Sequence, residues 1–98
     1  MEHFNELEPE TQELLVYLAE ESSEVIQAVA KILRHGLTSC DPTKSRLVSN
    51  TKQLEKEIGQ VFLAVDFLVK KGVIKSDNIK KAKNTKSKSI YKWLHHQD

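Results

Sequence analysis

The segments LAEESSEV (residues 18–25) and LEKEIGQV (residues 54–61) decide how this 98-residue chain folds. At about 100° of rotation per residue, Leu14, Leu18, Val25, Val29 and Ile32 share one side of a helix, and Leu54, Ile58, Val61, Val65 and Leu68 share one side of another. Glu21 lies at the edge of the first apolar stripe and Glu57 at the edge of the second. Three residues later, on the same flank, come Glu24 and Gln60. Antiparallel packing of the stripes would collect these four oxygen-bearing side chains in one groove. Carboxylates crowded there repel one another unless protons or cations compensate, and an all-oxygen set suits Mg²⁺, with Mn²⁺ a second choice. For any one of these acids the plain alternative is a border residue paired with a lysine; the repetition of the pattern on both helices argues for the cation.

The boundaries follow from local chemistry. Pro9 fits a first helical turn, where its missing N–H costs nothing, and Gly36 fits a helix end. Residues 9–35 therefore read as one long helix. Asn50 with Gln53 resembles a capping pair, and Lys70 and Lys71 before Gly72 suit a C-terminus, so a second helix runs from about 51 to 71. Ser76 can cap a third helix with Asp77 in its first turn, extending over 77–95. The connection 36–49, with Pro42, Lys44, Ser45 and Arg46, is long for a helical hairpin and is a candidate functional loop.

The expected architecture is all-α, a single helical domain over residues 1–98. Helices of this number and length enclose only a small core, so a bundle completed by homo-oligomerisation, as a dimer or tetramer, is the expected assembly. Cys40 is the single cysteine, which excludes an intramolecular disulfide or a four-cysteine zinc site and suits a reducing compartment. No apolar run approaches the ~20 residues that span a bilayer, and the acidic start of the chain is unlike a signal peptide. A cytoplasmic protein without membrane contact is expected.

The formal net charge is +1, yet it is polarised: residues 1–30 hold eight Glu and no Lys or Arg, whereas residues 70–98 hold nine Lys and two Asp. Opposite faces either stay solvated and meet within an oligomer, or a basic rim attracts polyanions. The near-zero net charge and the absence of any nucleic-acid motif weigh against nucleic acid as a partner. Lys31, two turns beyond Glu24, is placed to meet a substrate phosphate or else is a solvated lysine, and Arg34 near the loop is a weaker candidate. Lys86 shares a face with Ile79, Ala82 and Ile90, so it either reaches into a site or lays its stem along apolar surface. Glu20 points away from the acid cluster and could act only behind it. Asp66, nine residues after Glu57, falls on the opposite side of its helix. Tyr91 and Trp93 could stack a base or simply pack.

Together the two quoted segments resemble the EExxE…ExxD signature of the MazG-like, all-α nucleoside triphosphate pyrophosphohydrolases. The resemblance covers residues 14–71, including AKILRHG at 30–36, and extends loosely to the tail YKWLHHQ at 91–97. It implies a helical bundle assembled as a dimer or tetramer, Mg²⁺ on Glu21, Glu24 and Glu57, and conversion of a (d)NTP or related nucleotide to the monophosphate and pyrophosphate. Lys31, Arg34 and Lys86 would then bind substrate phosphates. Gln60 stands where the motif ends in Asp, supplying a carbonyl oxygen but neither a charge nor a base. The alternative is a catalytically weakened homologue that binds nucleotides or a protein partner.

Overall fold

The computed structural model describes residues 5–40, 42–43 and 47–97. Lys44, Ser45 and Arg46 of the long connection lie outside the described residues. Three α-helices follow one another: α1 (Pro9–His35), α2 (Asn50–Lys71) and α3 (Ser76–Ser87), after which a single 3₁₀ turn, η1, spans Ile90–Lys92. There is no strand among the described residues, only an isolated antiparallel bridge between Cys40 and Ser49.

The first helix begins with Pro9 at its N-terminal position, as its missing N–H allows, and ends at Gly36, whose φ of 90° is open to glycine and whose N–H bonds back to the Ile32 carbonyl at 2.7 Å. The start of α2 corrects the capping pair. Ser49 is the cap, its hydroxyl accepting from the Lys52 N–H at 3.2 Å, so the helix starts one residue earlier than its pattern predicts. Asn50 instead reaches across to the Gly36 carbonyl at 3.0 Å, and Thr51 donates to the Leu37 carbonyl through both its backbone and its hydroxyl. The free N–H groups of α2 thus tie down the chain leaving α1.

The third helix also departs from expectation. Lys75 occupies the cap position with no side-chain cap bond, Ser76 is already helical, and the helix stops at Ser87 rather than continuing to 95. Asn84, Thr85 and Ser87 are poor helix formers, and Ser87 turns its hydroxyl onto the Asn84 carbonyl at 2.7 Å. No side chain of α3 is buried, so packing does not oppose that local preference.

The core lies between α1 and α2. Ala28, Ala64 and Leu68 are its buried apolar residues, and Tyr17 meets Phe67 with ring centroids 6.3 Å apart. Ala28 follows Glu21 by seven residues, just as Ala64 follows Glu57. At these positions small side chains let the two backbones approach and leave the acids one or two turns away facing the same seam. Much apolar surface remains outside: Val16, Ile26 and Leu33 on α1 and Phe62, Leu63 and Phe67 on α2 are exposed. The radius of gyration, 17.2 Å, exceeds the ~13 Å of a compact domain of this length, because the main packing joins α1 to α2 while α3 buries no side chain.

Candidate metal centre

Each acid of the seam is positioned by the turn of helix that carries it. Glu21 and Glu24 project from adjacent turns of α1, Glu57 from α2, and carboxylate oxygens of all three lie within 4.8 Å of one another. Their surroundings grade from wet to dry. Glu24 is exposed, Glu21 half-buried, and Glu57 is 4% exposed, deeper than its place at the border of the stripe implies.

A buried carboxylate needs donors, and two glutamines supply them. Gln53, one turn before Glu57, donates to its Oε1 at 2.5 Å. Gln60, with its amide nitrogen turned toward the acids, donates to Glu57 Oε2 at 3.2 Å and to Glu21 Oε2 at 2.8 Å. The amide thereby links α1 to α2 through one acid of each. Such bonding lessens the repulsion without removing it. Loss of hydration raises the pKa of Glu57 above the usual carboxylate value, reinforced by a hydrogen bond with Glu24 and by its charge; Gln53 and Lys56 act in the other direction. Glu21 is raised as well, first by lost hydration and then by the charges of Glu24 and Glu20, against the pull of Lys56.

A hard divalent cation fits this donor set. The three acids crowd one another, and Glu21 and Glu57 have lost water and hold protons more tightly than free carboxylates do, which is the condition a cation relieves. For Gln60 to join them as a ligand, its amide must turn to present oxygen instead of nitrogen.

Lys31 and Arg34 come together in a separate hollow of about 280 Å³, lined also by His35, Ser39, Cys40, Pro42 and Asn50. Lys31 is seven residues beyond Glu24, about 10 Å along the helix axis, so this basic hollow lies at the loop end of the acid seam. Lys86 is exposed on α3 beside Asn78, Lys81, Ala82, Thr85 and Ser89, in a groove with none of the acids. Glu20 is exposed and acts on the centre through its charge on Glu21. Tyr91 and Trp93 are exposed, at 64% and 74%, and cover no part of the acid seam in this chain. Asp66 is exposed on the far side of α2, as its spacing predicts.

Three contributors escape a reading by helical face. Gln53 reads as a capping residue, although its place one turn before Glu57 is the available signal for its partnership. His35 and Asn50 enter the basic hollow only because the connection folds back over the end of α1.

The family model described as "MazG nucleotide pyrophosphohydrolase domain" matches residues 9–90. No curated protein and no solved structure matches the chain.

Proposed function

This chain belongs to the MazG nucleotide pyrophosphohydrolase domain family, and from that premise we propose that it hydrolyses a (d)NTP or related nucleotide, with Mg²⁺ or Mn²⁺, to the monophosphate and pyrophosphate. The convergence of Glu21, Glu24 and Glu57 within 4.8 Å is the observation that carries the reading. These three side chains would hold the cation, and Gln60 would add its amide oxygen. A cation bound there would neutralise phosphate oxygens and make water more acidic.

In the reaction, a water oxygen bonds to phosphorus while the anhydride P–O bond breaks and pyrophosphate departs with the electron pair. A carboxylate oxygen of Glu21, Glu24 or Glu57 left free by the cation would take up the proton that the water loses. Lys31 and Arg34, at the loop end of the seam, would bind the departing pyrophosphate and offset its charge. The exposed apolar faces of α1 and α2 support assembly of copies into a bundle of at least four helices. No helix of the described residues is long and apolar enough to cross a membrane, and the lone Cys40 supports a cytoplasmic setting.

A second reading, a binding module without turnover, is favoured by the Gln60 amide, which supplies donors to Glu21 and Glu57 without any cation. A panel of nucleotides incubated with Mg²⁺, with pyrophosphate and orthophosphate measured separately, decides between them. Release of pyrophosphate that disappears with chelator and in Glu57→Gln supports the hydrolase. Calorimetric nucleotide binding with no product supports the module, and neither binding nor product removes both.

A further inference from the structure

Charge of opposite sign gathers on two elements that share no ion pair among the described residues. Residues 1–30 hold eight Glu without Lys or Arg, and residues 70–98 hold nine Lys with two Asp. On α1, Glu10, Glu13 and Glu20 are exposed and lie on one flank, within about 80° of one another around the axis. On α3, Lys80, Lys81, Lys83 and Lys86 are exposed, and no ion pair joins them to α1 among the described residues. This arm buries no side chain, meets η1, and carries Ile79, Tyr91, Trp93 and Leu94 in the open.

The acidic flank offers more than charge. Beside Glu13, a hollow of about 350 Å³ is bounded by Pro9, Gln12 and the half-exposed Val16. The aliphatic stems of lysines can cover the apolar surface of Val16 there.

We propose that the α3–η1 arm of one copy lies along the acidic flank of α1 in a second copy, with its lysines facing Glu10, Glu13 and Glu20. The inference rests on the assembly of copies proposed above and not on the hydrolase reading. A second copy is favoured over a nucleic acid because every chain that offers the basic arm also offers the complementary acidic flank, which would repel a polyanion. Reciprocal exchange satisfies both surfaces by a two-fold operation, as a closed dimer requires.

The test uses the full chain. Carbodiimide, which joins neighbouring carboxylates and amines, is applied to a mixture of isotopically light and heavy protein. Light-to-heavy links between lysines of α3 and Glu10, Glu13 or Glu20 are expected. Sedimentation then compares Lys80→Glu/Lys83→Glu with Glu10→Lys/Glu13→Lys. Each pair alone should weaken self-association roughly tenfold, the order expected when two exposed ion pairs become repulsive, and mixing the two variants should restore it. A dimer that persists in both variants and gives no light-to-heavy links overturns the arm while leaving the bundle. Links within one isotope only, with rescue in the four-fold variant but not in the mixture, assign the contact to a single chain and also overturn it. A monomeric parent overturns both arm and bundle, and a parent that binds DNA or RNA through the arm without self-association assigns the arm to nucleic acid.

Discussion

Replacing Gln60 by Asp places the electrostatics of the seam under a test whose size the structure sets. The substitution removes the 3.2 Å donor from Glu57, which is only 4% exposed. Loss of a donor to a buried charged acceptor costs about 1–3 kcal/mol. A further carboxylate ~5 Å from Glu57 adds a repulsion of about 3 kcal/mol at an effective dielectric near 20, which proton uptake and solvent screening reduce to roughly 1–2 kcal/mol. Metal-free Gln60→Asp should therefore lose about 2–5 kcal/mol at neutral pH, at about 4–8 °C of Tm per kcal/mol for a domain of this size. Mg²⁺ narrows the difference, because the added charge strengthens the attraction for the cation. At ~100 times its dissociation constant the ion returns about 2.7 kcal/mol. Thermal unfolding in chelator and in Mg²⁺, with calorimetric titration and a pyrophosphate assay, should show a larger Mg²⁺-induced gain in the variant than in the parent and more product. A variant as stable as the parent in chelator and indifferent to Mg²⁺ would refute the reasoning, since the new charge would then lie outside any seam of crowded acids.

Other perturbations address neighbouring parts. Glu57 and Glu21 have raised pKa values, so their contribution to metal-free stability is greatest below the ordinary value of 4.5 and is lost as pH rises from there through the raised values. The stability of the parent relative to Glu57→Gln, followed by denaturant unfolding in chelator, should accordingly fall with rising pH; an upward trend would contradict the assigned shifts. Leu68→Ala removes a fully buried side chain from the α1–α2 seam and should cost about 2–5 kcal/mol in urea unfolding, whereas a loss below ~1 kcal/mol would place the core elsewhere. Lys31→Ala and Arg34→Ala, both at exposed residues, should leave unfolding unchanged and weaken nucleotide affinity, roughly tenfold each if each holds a phosphate oxygen. Unchanged binding would return both residues to the solvated surface.

The sequence alone determined the helical class and the extent of the first two helices, because a 3.6-residue apolar period sustained over five or six turns, with Pro9 at one end and Gly36 or Gly72 at others, has no competing solution. It also placed Glu21 with Glu24, and Glu57 with Gln60, on one flank of each helix, since an offset of three residues keeps a pair together whatever the packing. Tertiary structure decided the rest. How deeply Glu57 is buried depends on the close approach at Ala28 and Ala64, a property of two surfaces together that neither helix carries by itself. The direction in which Gln60 points its amide depends on Glu21, 39 residues away in the chain. The end of α3 at Ser87 was hidden because the absence of Gly and Pro permits a helix but does not maintain one. Without a buried face, the last turns had only the weak propensities of Asn84, Thr85 and Ser87 to hold them, and these were insufficient.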